Sequence, residues 1–321
     1  MTARSGSKQA IYAALIGNIL IAISKFTAAI LTGSSAMTSE AVHSLVDTSN
    51  EIVLLYGIRR ASRPADRSHP LGYGRELYFW SFIVALLIFA LGAGVSFYEG
   101  VIHIREPEPV QNVEITYAVL LLSALFEGYS WSVALKAVRQ SKGSLGYLAA
   151  ARKTKDLTIF TVLFEDTAAL LGIAVALAGI ALAQGLGMPV LDGIASIGIA
   201  VILAASAIFL ARESKGLLIG EPAAQELRTA VLHLAAADPD IHRANGLITV
   251  HLAPRQIVAA LSAEFRDAAT APQIEACVQR IETKIKSAYP EVSTLFVKPQ
   301  TAATWAALHE QLGRSAGSSK L

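Results

Sequence analysis

The 321-residue chain is short of charge and nearly empty of cysteine. Only 16% of its residues are charged, where a soluble domain carries about 25%. That deficit excludes an ordinary soluble protein and points to a membrane. One cysteine, Cys277, excludes an intramolecular disulfide framework and a thiolate metal cluster, and reads as a small buried residue on a helix. A net charge of only +2 gives no electrostatic footprint for nucleic acid. The polar start, MTARSGSKQA, runs into an apolar stretch with no small-residue cleavage site after it, so this stretch is expected to be a retained span.

What is present is a series of long apolar runs. A spanning helix needs about 20 mainly apolar residues. Six segments qualify as candidates: about 10–31, 38–58, 77–100, 113–136, 157–183 and 190–211. Tyr78, Trp80 and Tyr98 sit near the ends of the third as interfacial anchors. Basic residues crowd two of the short loops. Arg59, Arg60, Arg63, Arg67 and Arg75 follow span two, and Lys136, Arg139, Lys142, Arg152, Lys153 and Lys155 follow span four. The opposite loops offer GSSA, a stretch with Arg105 alone, and QGLGMP. The positive-inside rule then places both termini in the cytoplasm.

From about residue 219 the charge returns to a soluble level. Residues 223–236 and 271–288 have helical periodicity, and 247–252, 256–266 and 292–298 read as strands. Apolar residues at 257, 259, 261, 263 and 265 share one strand face. The order α-β-β-α-β predicts a small two-layer α+β domain. The expected division is 1–216 for the six-helix membrane domain, 217–300 for the α+β domain and 301–321 for the tail, disordered at its GRSAGSSKL end.

The chemistry lies in SEAVHSLVDTSNE, residues 39–51. Glu40, His43, Asp47 and Asn50 are spaced three, four and three apart, which puts them on one stripe of a helix. Ionisable groups inside a span cost about 2.5–3.5 kcal/mol each on insertion scales and are functional candidates by default. More of them occur: Lys25 in span one, Glu127 in span four, Glu165 and Asp166 in span five, and Asp192 at the start of span six. An imidazole with two or more carboxylates is a ligand set for a divalent cation. His43 and Asp47, one turn apart, can grip one ion, with Asp166 closing the site at comparable depth. The plain alternative is a set of polar groups hydrogen-bonding between helices. Small residues in spans five and six, Gly172 and Gly198 among them, allow close helix packing.

SSAMTSEAVHSLVDTSNE resembles the second span of the cation diffusion facilitator family of divalent-metal/proton antiporters, with its H/D-x-x-x-D core. RPADRSHPLGYGREL resembles the loop that follows, and the α-β-β-α-β tail resembles the family's ferredoxin-like cytoplasmic domain, which commonly dimerises. By this resemblance His43 and Asp47 are transport-site ligands and Asp166 the carboxylate of span five. The family's usual partner four residues before that carboxylate is replaced by Val162. VLFEDTAALLG looks like a branch similar to the zinc transporter of animal mitochondria. A tetrahedral zinc ion could then keep a water in the fourth position, or Glu165, Glu127 or Glu40 is the further ligand or proton carrier, and Glu165 stands about 100° around the helix from Asp166. Asp66 and His69 match two ligands of an auxiliary loop site, with Tyr73 in place of the third; a structured turn built on Pro70, Gly72 and Gly74 is the other reading. Phe296 and Lys298 stand where metal-binding relatives carry histidine and aspartate, and His233, His242 and His251 are scattered. No metal cluster is expected in this domain, which would serve dimerisation.

The resemblance implies an integral membrane protein, in a bacterial cell membrane, that exports zinc by alternating access in exchange for protons. Its partners are the metal ion, protons, lipid and a second copy, with no cofactor beyond the transported cation. A proton would compete at His43, whose ordinary pKa is about 6.5. Manganese, ferrous iron or cobalt is the alternative cargo, because the loss of a ligand at Val162 shifts the set towards oxygen. A transport-inactive scaffold is the alternative from another class. No nucleophile–base pair suggests an enzyme.

Overall fold

The computed structural model describes residues 3–141, 146, 157–308 and 310. The basic residues Lys142, Arg152, Lys153 and Lys155, and the GRSAGSSKL end, lie outside these. Two compact units divide the chain, Met1–Lys215 and Gly216–Leu321.

The first unit is helical: α1 (Ala3–Thr32), α2 (Ser35–Ala61), α3 (Glu76–Arg105), α4 (Val113–Ser141), α5 (Leu157–Leu186) and α6 (Val190–Ile219), whose last four residues belong to the second. These helices occupy the six positions expected for spans. Among the described residues, four are long and apolar enough to cross a membrane by length and composition: Glu76–Arg105, Val113–Arg139, Val162–Leu186 and Val190–Ile219. The described apolar part of α1 is shorter, Gly17–Thr32, and α2 carries Glu40, Asp47, Glu51, Arg59 and Arg60 within its length. Most helices outrun their apolar windows because backbone hydrogen bonding does not stop where polarity begins. Ile88–Ala93, in the middle of α3, is π-helical, a form that occurs as single-turn insertions in α-helices.

The helices pack through a core that includes Met37, Ile88, Leu120, Ile173, Ile199 and Leu203. Close approaches depend on glycine. A Cβ at Gly100 of α3 would come within 2.8 Å of the Gly193 carbonyl of α6. The start of α2 is capped twice. Ser34 Oγ accepts from Met37 N at 3.1 Å, and Asp192 of α6 accepts from Ser35 N.

The second unit has the expected order: α7 (Gln225–Ala236), β1 (Ile241–Ala253), β2 (Gln256–Phe265), α8 (Ala271–Ala288) and β3 (Val292–Pro299). Its sheet has three strands in the order β1-β2-β3, β1 and β2 antiparallel, β2 and β3 parallel. A parallel neighbour requires a crossover, which α8 provides. Thr270 and Gln273 form a capping box at the start of α8, where the Thr270 N–H donates to Gln273 Oε1 at 2.8 Å. Strand β2 buries Ile257, Ala259, Leu261 and Ala263 as its alternation predicts, against Val231, Cys277, Ile281 and Ile285 of the helices. Ile248 and Phe296 stand on the other sheet face, half exposed and joined in one row through Ala260.

Candidate metal centre

Helix α2 places Glu40, His43, Asp47 and Asn50 as their spacing requires, and the structure gives each a different setting. His43 is 2% exposed, and its Nδ1 lies 3.5 Å from Asp47 Oδ1. Neither ring nitrogen has a hydrogen-bond partner. Asp47 Oδ1 and Asp166 Oδ2 are likewise buried and unpartnered. An unsatisfied buried polar atom costs about 1–3 kcal/mol, so several together leave a cost that a bound ligand would offset.

Asp47 faces a cavity of about 700 Å³ between α1, α2, α4 and α5. Its carboxylates are Asp47, Glu51, Glu127, Glu165 and Asp166, and Asn18, Ser44 and Ser130 add neutral oxygens. Asp166 accepts a hydrogen bond from Ser130. Glu165 accepts from Asn50 Nδ2 at 2.9 Å, which ties it to α2 despite its rotation from Asp166. Glu51 accepts from Asn18 Nδ2 at 2.9 Å. Val162 lines the same cavity one turn before Asp166. Among the described residues, no three of these groups bring their ligand atoms within 4.8 Å of one another. The donors surround one space without converging on a point, and side-chain rotation would have to close the set.

Glu40 does not join them. One of its oxygens is held by Lys25 Nζ at 3.0 Å. Asp192 is also elsewhere, at the start of α2. Sequence reasoning passed over Glu51, although it continues the stripe four residues beyond Asp47, and passed over Asn18 altogether.

The loop residues Asp66 and His69 are brought near each other, Oδ1 to Nδ1 at 3.9 Å. Both Asp66 oxygens are already engaged. They accept from Ser68 N at 2.9 Å, Ser68 Oγ at 2.7 Å, His69 N at 2.8 Å and Tyr73 OH at 2.6 Å. The Tyr73 hydroxyl, first among these donors, holds the Asp66 carboxyl well below the usual range. Tyr73, in the place of a third ligand, thus turns the segment into a hydrogen-bonded turn, which Gly72 completes at φ +82°.

In the second unit, His233 and His242 are exposed, and His251 is buried with Nδ1 3.3 Å from the Ala253 carbonyl. The ligand atoms of Asp238, Asp240 and Cys277 do lie within 4.8 Å of one another. Arg280 occupies that position: its Nη2 donates to Asp238 Oδ1 at 2.9 Å and to Asp240 Oδ2 at 2.6 Å. The cluster is an ion-pair network in which one guanidinium bridges both carboxylates.

Residues 11–219 match the family model of the cation efflux transmembrane domain. The chain is 32% identical over 238 residues to the mouse mitochondrial proton-coupled zinc antiporter SLC30A9, covering 74% of this chain and 42% of that protein. It is 34% identical over 216 residues to metal tolerance protein C4 of Arabidopsis thaliana, covering 67% of this chain and 47% of that protein. It is 24% identical over 290 residues to the cation-efflux pump FieF of Cronobacter sakazakii, covering 88% and 89%. The chain spans less than half the length of the mouse and Arabidopsis relatives. Mostly helical, with strongly apolar helices, a small C-terminal sheet unit and the family match over more than half its length, the chain belongs to the cation diffusion facilitator family of membrane transporters, resembling the branch of the animal mitochondrial zinc antiporter.

Proposed function

We propose that this protein exports a divalent cation, zinc in the first instance, from the cytoplasm in exchange for protons. The observation that carries this reading is the cavity in which Asp47, Glu127, Glu165 and Asp166 face one another beside the buried, unpartnered His43. The ligands are His43, Asp47 and Asp166. Glu165, anchored by Asn50, supplies the oxygen that residue 162 cannot. Glu127 and Glu51 carry protons or hand the ion on. The relative named as a proton-coupled zinc antiporter supports both zinc and the exchange. Metal binding needs neutral imidazole and ionised carboxylates, so protons from the far side compete for the same atoms and release the ion.

All six helices of the first unit span, with both termini cytoplasmic. Arg59, Arg60, Arg63, Arg67 and Arg75 on one side support that orientation. The membrane is a bacterial cell membrane. The second unit joins two copies, and the row of Ile248, Ala260 and Phe296 on its open sheet face supports this.

Manganese, ferrous iron or cobalt is the second reading for the cargo. The cavity's five carboxylates and the apolar Val162 favour it, since oxygen ligands suit harder ions. Uptake into proteoliposomes, with a metal dye and a pH dye inside, tests both. The expected result is entry of one of these metals with an opposite movement of protons. A His43→Ala/Asp47→Ala protein that moved metal at the wild-type rate would sink the reading.

A further inference from the structure

Lys25 of α1 and Glu40 of α2 form an ion pair wholly inside the helical unit. Nζ donates to Oε2 at 3.0 Å, and both side chains are 0% exposed. Glu40 stands one turn before His43 on the same stripe, and its second oxygen, Oε1, is buried without a partner. Room for that oxygen comes from Gly172 of α5, where a Cβ would collide with it. Glu40 is one helical turn from His43, so the Lys25 charge that it holds lies next to the stripe of His43 and Asp47. As a stabilising device the pair is poor, because apolar side chains of similar volume often do as well or better than a buried ion pair. Its placement one turn from His43 is therefore the feature with consequences.

We infer that Lys25 is a resident counter-cation of the transport site, which keeps Glu40 out of the ion's ligand set and loosens the hold of His43 and Asp47 on a divalent cation. The inference rests on the reading of those residues as the site. An ion at His43 and Asp47 brings two positive charges towards a third, and in a medium of low dielectric constant that repulsion is large. A cavity with five carboxylates and no opposing charge would bind a divalent ion and not let it go, whereas transport needs binding weak enough for exit. If Lys25 were absent, Glu40 Oε1 and Oε2 would both be free to turn towards the metal beside His43.

The test is a cycle of four full-length proteins in detergent: wild type, K25Q, E40Q and K25Q/E40Q. Zinc affinity is measured by competition with a chromophoric chelator, and zinc uptake is measured in proteoliposomes. Each glutamine retains a hydrogen bond between the two positions. K25Q is expected to lower the zinc Kd by about tenfold or more, with KM and the maximal rate falling together. E40Q leaves the lysine charge uncompensated and is expected to raise Kd by a similar factor. The double variant returns to within about threefold of wild type. A merely structural pair shifts both single variants the same way; that result, or an unchanged Kd in both, overturns the inference. If K25Q does not fold, E40Q against the double variant isolates the lysine charge: tighter zinc in the double variant supports it, equal or looser zinc overturns it. H43A/D47A is run alongside. Loss of zinc binding there with same-way shifts in the cycle defeats the Lys25 inference alone. Wild-type zinc binding there defeats the site reading beneath it.

Discussion

Ser35 donates its backbone N–H to Oδ2 of Asp192 at 2.6 Å, so that a carboxylate on α6 caps the helix carrying His43 and Asp47. The same side chain accepts from Ser34 Oγ at 2.7 Å through Oδ1, and His103 Nε2 stands 3.6 Å from Oδ2. A negative group at a helix start satisfies N–H groups that have no partner within the helix and complements the dipole. Asp192→Ala removes both acceptors and is expected to cost about 2–4 kcal/mol. Asp192→Asn keeps one acceptor oxygen and should cost less. Thermal unfolding of the detergent-solubilised variants reads the order wild type, Asn, Ala from most to least stable. Equal midpoints for Ala and wild type would refute the capping role.

Val162 gives a second handle, on selectivity. It lines the cavity one helical turn before Asp166, at the position where a ligand would complete an i, i+4 pair. A Val162→His protein gains a nitrogen donor in a set otherwise dominated by oxygen, and imidazole favours zinc over manganese. The ratio of zinc to manganese uptake in proteoliposomes is expected to rise by about tenfold, equivalent to about 1.4 kcal/mol. A ratio that stays at the wild-type value would mean that residue 162 does not reach the ion.

The parts of this site that sequence could show are those fixed by one helix. The spacing of Glu40, His43, Asp47 and Asn50 determines a stripe whatever the helix packs against. The parts it could not show depend on which helix lies opposite. Lys25 is visibly a charge in an apolar segment, but its partner is Glu40 only because α1 meets α2 there and Gly172 leaves room. Asp192 is visible as a charge in a span, yet its use at the start of α2 is set by a contact more than 150 residues away in sequence. Helix ends followed the same division. Helix α6 runs on through ARESKG to Ile219 because its hydrogen bonds continue where its apolar window stops. Strand β1 begins at Ile241 rather than 247: residues 241–246, IHRANG, lack the alternation of a strand, yet they pair with β2 through register shifts. The π-helical segment in α3 left no mark in the composition.

Asp238 makes a prediction in pH. It closes the turn after α7, where it accepts from Arg280 Nε at 3.1 Å and Nη2 at 2.9 Å and from Cys277 Sγ at 3.3 Å. The Arg280 guanidinium holds the Asp238 carboxyl down at about 2. Burial, and then the neighbouring Asp238 carboxylate, pushes the Cys277 thiol up to about 12. A depressed carboxyl contributes stability that is complete above its unfolded pKa of about 3.9 and is lost as pH falls through the folded value. Asp238 should therefore support the second unit fully at neutral pH, less below pH 4 and hardly at all near pH 2. Asp238→Asn is expected to flatten that acid limb and to cost about 1–2 kcal/mol at pH 7, since Arg280 is partly exposed. Cys277 reports the same network chemically. At pH 8 its labelling by iodoacetamide in the folded protein should be about a thousandfold slower than in denatured chain, because the thiolate is the nucleophile. In Asp238→Asn the thiol loses its negative neighbour, and labelling should quicken. Rapid labelling of the folded wild-type protein, followed by mass spectrometry, would show that Cys277 is not held in this network.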